Sequence, residues 1–394
     1  MAESCFGTPD RRDARRHTGV GCVTMASGSG RITPCMQAAR MPWWAWTWPA
    51  LAWLVLLVIL AGGTGAVLAA AAEIALITTV FSAVYHAEVV AHRVGEPFGT
   101  IVLAVAVTVI EVALIISVII AAPAEKVELA RDTVFAAVMI VCNGIVGLCL
   151  LWGGARHGEQ GFQVQGASAA LAVLAALTTL TLILPNVVTT VPGPVFSTSQ
   201  LVFAGIVSLL LYGAFIFVQT VRHRDYFLPL ESEHEGAHAK PPTKGTALVS
   251  LGLLLIALVA VVSLAKSLTP VVEAGVSLLG VSKGLVGIVI AGMVLLPEGL
   301  AALQAARANR LQTSLNLALG SALASIGLTI PTVAVVSIAL HQPITLGLDQ
   351  KDQTLLALTL FISVITLGTG RTTVLQGVIH LAIFAVFLFF AIVP

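Results

Sequence analysis

Charge is what this chain most lacks. Only 10% of its 394 residues are Asp, Glu, Lys or Arg, while 58% are hydrophobic. No soluble fold buries so large an apolar share, so the composition excludes a globular protein in water and requires a polytopic membrane protein. The net charge of +1 removes the basic excess that a nucleic-acid partner would require. Cysteines number five, in no metal-binding spacing, and Cys142 and Cys149 fall in an apolar run where the residue packs as a small hydrophobe. There is no His-Glu-x-x-His, no Gly-x-Ser-x-Gly and no aspartate-rich diphosphate motif, which argues against an intramembrane enzyme and leaves no cofactor to expect. Before Trp43 there is no apolar core with a small-residue cleavage site, so no secretory leader is read.

What is present falls into five parts. Residues 1–42 carry six arginines amid Gly and Ser and read as a disordered cytoplasmic tail, with Met36 and Met41 as alternative starts. A first transmembrane helix occupies about 43–69, opened by Trp43, Trp44, Trp46 and Trp48 at the interface. Residues 70–220 and 246–394 form two halves, joined by the hydrophilic linker 221–245 with its acidic and histidine residues. At about 20 residues per crossing the halves supply five spans each, eleven in all. The stretch 246–280 is too long for one upright span and reads as one tilted helix rather than two pieces broken at Pro270. The expected fold is thus all-α, with about eleven transmembrane helices. With the N-terminus cytoplasmic, nine Lys and Arg outside the tail fall on inside ends and four on outside ends.

The halves can be overlaid. Glu88 matches Glu273, Glu111 falls against Glu298, and Gly147-Leu148 matches Gly327-Leu328. Five spans per copy is an odd number, so the copies insert with opposite orientation: two inverted five-helix repeats, with a site at the bilayer midplane. Glu111 and Glu298 each stand in an otherwise apolar span, where a carboxylate costs roughly 2.5–3.5 kcal/mol and is functional by default. Two carboxylates give up to four oxygens, and a hard cation such as Ca²⁺ takes six to eight. Asn143, Ser321 and Ser325 are the polar supplements, and Thr108 lies one turn before Glu111 on its face. Pro297 frees a backbone carbonyl beside Glu298. Burial and mutual repulsion favour the protonated carboxyls, so an empty pair holds protons and a cation displaces them. That mutual exclusion is what an exchanger of inorganic cations and protons requires. Glu88 with His92, and Glu273 with Ser277, line the expected access path. Lys266 stands two turns before Glu273, Glu73 reads as interfacial, His234 and His238 as solvated linker, and His380 as a packed residue.

The segments Gly95-Glu-Pro-Phe-Gly-Thr, Val107-Thr-Val-Ile-Glu111, Ala130 to Gly147 through Asn143, and Leu296-Pro-Glu298-Gly resemble the bacterial calcium/proton antiporters of the ChaA type, within the cation/calcium exchanger superfamily. The resemblance spans about 70–394. It implies eleven spans, two inverted repeats, Glu111 and Glu298 as ion ligands, and a multi-pass protein of the bacterial inner membrane. It implies export of Ca²⁺, with Na⁺ or K⁺ as alternatives, against protons. Two departures stand out: Val-Thr-Val-Ile and Val-Leu-Leu-Pro precede the glutamates in place of the usual asparagine, and Leu323 stands where the first repeat has Asn143.

Overall fold

The computed structural model describes residues 41–63, 65–95, 106, 108–109, 112–113, 116, 128–228, 242–278 and 284–393. The tail, Glu111 with most of the third expected span, and the linker histidines His234 and His238 lie outside the described residues. Within those described, ten helices dominate. They are α1 (Trp44–Leu60), α2 (Ala66–Val94), α3 (Leu129–His157), α4 (Val164–Asn186), α5 (Thr198–Arg222), α6 (Lys244–Leu278), α7 (Gly284–Arg307), α8 (Leu311–Leu340), α9 (Gln350–Leu367) and α10 (Val374–Ile392). Helix is the form these sequences must take in lipid, because it satisfies every backbone polar group inside the segment. Each described helix falls on an expected span.

The boundary of the first span differs from expectation. It ends at Leu60 rather than near residue 69, because Gly62 and Gly65 take φ of 90° and 125°, a region closed to side-chain-bearing residues in a helix. The glycines turn the chain, and α2 begins at Ala66. The described part of the 246–280 stretch, to Leu278, is a single helix, α6, with Pro270 accommodated inside it.

The buried apolar residues form two large clusters that do not follow the chain halves. One joins α1, α2 and α6 through Leu56, Leu76, Val80, Val261 and Leu264. Alanines at 72, 75, 83, 87, 257 and 260 let these backbones approach closely, as van der Waals packing in lipid demands. The other, larger cluster gathers α3, α4, α5 and α7 to α10. Helix α3 is its axis: from 133 to 150 every residue except Ile140 and Leu148 is buried. Helix α7 belongs to both, giving Val294 to the smaller cluster and Leu295 to the larger. Leu54, Leu57, Phe203, Leu210, Leu255 and Phe361 are exposed, as side chains facing lipid should be.

Loops tie the larger cluster together at two ends. At one, Gln160–Gly161 pairs antiparallel with Arg371–Thr372. There Gln160 Nε2 donates to the Ala306 carbonyl at 3.0 Å and Asn309 Oδ1 at 2.9 Å, and Asn316 Nδ2 donates to the Phe227 carbonyl at 2.6 Å. At the other, Val195 bridges Thr345, Asn186 Nδ2 donates to the Leu348 carbonyl at 2.9 Å, and Arg131 donates to the Gly347 carbonyl at 3.2 Å. Lys351 reaches the Phe390 carbonyl at 3.3 Å, placing the C-terminal turn of α10 at this second end.

Pro49 explains how α1 is fastened. Its missing N–H leaves the Ala45 carbonyl without its helical donor. Ser82 Oγ donates to that carbonyl at 2.6 Å and His86 Nε2 meets it at 2.9 Å, both from α2.

Candidate functional site

Glu298 is the one membrane-embedded carboxylate of the expected pair within the described residues, and it is only 8% exposed. Two glycines show what it faces. A Cβ added to Gly287 would lie 3.1 Å from the Asp132 backbone, and one added to Gly299 would lie 3.0 Å from Ile145 Cδ1. Helices α7 and α3 therefore run side by side in the same direction, in step over about three turns. Glu298 comes round to the face that carries Gly287 and is level with Asn143 and Gly144.

At that level α3 is not a regular α-helix. Residues Ile140–Ile145 form a π turn, all buried except Ile140. Such turns are rare and recur at functional sites, because the wider ring shifts backbone carbonyls out of register. Asn143, at 0% exposure, lies inside it. Its Nδ2 donates to Thr359 Oγ1 of α9 at 2.8 Å, and its Oδ1 meets His380 Nδ1 of α10 at 3.2 Å.

Helix α8 supplies hydroxyls. Ser325 is buried and Ser321 half-buried. Gly327 packs against the Tyr212 ring of α5, so Ser321 and Ser325 lie about half a turn away, on the opposite face of α8. Ser314, on that same face, lies beside the Cys149 thiol of α3. The two candidate ligands are thereby directed to the α3 side of the bundle, where Glu298 also points. Thr108 is buried, in a short described piece of the third span.

The second tier is not gathered with these. Glu88 and His92 are exposed on α2, as are Glu73 on α2 and Lys266 on α6. Glu273 belongs to α6, but its side chain is outside the described part. Among the described residues no group of three or more His, Cys, Asp or Glu comes together. The chemistry on offer is therefore carboxylate, amide, hydroxyl and carbonyl oxygen, a hard-donor set suited to alkali and alkaline-earth cations rather than zinc. Sequence reasoning missed the company of Asn143. His380 in an apolar span, and Thr359, Ser363 and Thr366 spaced along one face of α9, were the available signals.

Comparison with known proteins agrees with this architecture. The y4hA protein of Sinorhizobium fredii is 51% identical over 365 residues, covering 91% of this chain and 98% of its own length. The sodium-potassium/proton antiporter ChaA of Escherichia coli is 33% identical over 320 residues, covering 80% of this chain and 86% of ChaA. A solved structure of the Ca²⁺/H⁺ antiporter protein YfkE superposes with a TM-score of 0.67 at 18% identity, covering 89% of this chain and 99% of that one. Residues 64–221 and 249–393 match the sodium/calcium exchanger protein family, the two matched stretches corresponding to the two halves on either side of the linker. The family match over both halves, with 33% identity to ChaA across most of both chains, places this chain in the sodium/calcium exchanger family, as a multi-pass membrane cation antiporter.

Proposed function

We propose that this protein exports Ca²⁺ in exchange for protons, by alternating access at a midplane site built on Glu298 and Glu111. The observation that carries the reading is Glu298, buried in α7 and level with the π turn of α3. Asn143, Ser325 and Ser321 complete the oxygen set from α3 and α8, and Thr108 stands one turn from Glu111. Cation or protons neutralise the pair in turn, and only a neutralised site crosses the barrier between inward and outward states. The split of the core supports a moving part: α1, α2 and α6 form one packed unit, the remaining helices another, and α7 with Glu298 lies where they meet. Glu88, His92 and Glu273, on the smaller unit, line the route taken by ions and protons.

Orientation follows from charge. Arg156, Arg307, Arg310 and Arg371 belong to the end held by the Gln160 ribbon, while Arg131 and Lys351 belong to the other. Positive residues favour the cytoplasm, so the ribbon end faces inward in a bacterial inner membrane and the C-terminus outward. A phosphatase fused after residue 394 should be active outside the cell; activity confined to the cytoplasm would reverse this assignment.

The test of function uses everted vesicles and a pH-sensitive dye. Ca²⁺ should collapse a respiration-generated proton gradient, and Glu298→Gln and Glu111→Gln should abolish the response. Undiminished exchange in either variant would remove these residues from the site. A second reading, Na⁺ or K⁺ for protons with little Ca²⁺, is favoured by the named activity of ChaA. Adding the three cations side by side separates the two.

A further inference from the structure

We propose that His380 and Thr359 are positioning residues of the cation site, holding the Asn143 amide and with it the π turn that Glu298 faces. The inference rests on the antiport reading above. It begins from an amide fixed at both ends: Asn143 Nδ2 donates to Thr359 Oγ1 at 2.8 Å, and Oδ1 accepts from His380 Nδ1 at 3.2 Å. Both partners, a hydroxyl and a ring nitrogen, can donate or accept, so the amide is held at both ends whichever way its oxygen and nitrogen lie.

His380 is itself oriented. Its Nε2 lies 2.8 Å from Thr366 Oγ1. Thr366 Oγ1 also donates to the Ile362 carbonyl at 2.9 Å, so the hydroxyl ties the ring to the backbone of α9. Gly147 makes room for this arrangement, since a Cβ there would lie 3.1 Å from His380 Cβ. Thr359 and Thr366 share a face of α9, two turns apart, and both are buried, as is His380. Three helices thus contribute to one polar chain that ends on the π turn.

The turn is held between two partners. His380 and Thr359 hold it through Asn143, while Ile145, at its last position, lies against Gly299, next to Glu298. A change in the grip on Asn143 is passed to the residues level with the carboxylate. A role as interhelical glue predicts something different, a loss of stability with unchanged ion dependence.

The experiment measures the cation concentration that half-saturates exchange, together with maximal rate and thermal stability, in vesicles bearing the full chain. His380→Phe keeps the ring volume and removes both bonds. It should raise the half-saturating concentration about tenfold, the lower range for losing a partner that orients a metal ligand, at a nearly unchanged maximal rate. His380→Asn, whose side-chain amide can donate or accept at the position of Nδ1, should restore most of the affinity. Thr359→Val should shift affinity in the same direction from the other end of the amide. The double variant Asn143→Ala/His380→Phe should be no weaker than Asn143→Ala alone, because both act through one group. A native half-saturation in both His380→Phe and Thr359→Val, or multiplicative effects in the double variant, would overturn the proposal. The parent protein and Glu298→Gln separate the levels: no cation-dependent proton exchange by the parent refutes the antiport reading itself, and undiminished exchange by Glu298→Gln removes that residue from the site. An active parent and an inactive Glu298→Gln beside unaltered His380→Phe and Thr359→Val refute only the positioning role.

Discussion

One methyl group at Gly377 should force α3 and α10 apart. A Cβ there would lie 2.7 Å from Leu151 Cα and 2.9 Å from the Gly147 carbonyl oxygen, with the Leu151 amide nitrogen nearer still. These are backbone atoms, so no rotamer change can relieve the contact. Carbon atoms rest at roughly 3.5–4.0 Å, so the helices must separate by about 1 Å. His380 is one turn further along α10, and its 3.2 Å approach to Asn143 would then exceed hydrogen-bonding range. Overpacking of this kind costs about 1–3 kcal/mol, and a buried interhelical bond in a membrane protein adds about 0.6–1.7. The better helix propensity of alanine returns about 0.5–1. Gly377→Ala should therefore lose about 1–4 kcal/mol against unfolding in detergent, and its half-saturating cation concentration should rise with it. Gly213, in α5, has nothing within 4 Å of its added Cβ. Gly213→Ala is the control, expected to be neutral or to gain up to about 1 kcal/mol. Equal stability of the two variants would refute the close backbone approach and the coupling built on it.

Two other perturbations follow from local chemistry. Asp352, in the charged first turn of α9 before the apolar span, is pushed up to about 6 by burial, with Asp349 adding to the effect. The folded state holds that proton more tightly than the unfolded chain, so its contribution is full below about pH 4 and is lost as pH rises through about 6. Asp352→Asn should match the parent near pH 4 and exceed it in thermal stability at pH 8; a parallel pH profile for the two would exclude the effect. Ser82→Ala should loosen α1 by about 1 kcal/mol. Pro49→Ala supplies the Ala45 carbonyl with a helical donor, so Ser82→Ala should cost less in that background, a coupling of at least about 0.5 kcal/mol. Strictly additive costs would show that the proline does not create the vacancy Ser82 fills.

The sequence was legible where hydrocarbon sets the terms. Apolar length located the spans, and the cost of a buried carboxylate singled out Glu298, because both are properties of single segments. The early end of α1 was readable in Gly62 and Gly65 but was outweighed by continuing hydrophobicity. The partners of Asn143 were not readable, because they come from helices distant in the chain and a threonine or histidine in a span carries no mark of what it touches. The π turn is equally silent, since Ile140–Ile145 has no residue that forbids a regular helix. Even the division of the core escapes a linear reading, since α6 packs with α1 and α2 rather than with its own half.

The bonds of Asn143 also bear on how the chain is made. Thr359 lies 216 residues beyond it and His380 lies 237 beyond. During synthesis α3 is inserted long before either partner exists, and at about 5–20 residues per second the delay is on the order of 10–50 seconds. For that interval the buried amide has only the weak Met139 Sδ acceptor of its own helix, 3.8 Å away. Completion waits for α9 and α10. A chain that stops before them would leave that amide without its two long-range bonds. The last two helices thus close the fold in time as well as in space.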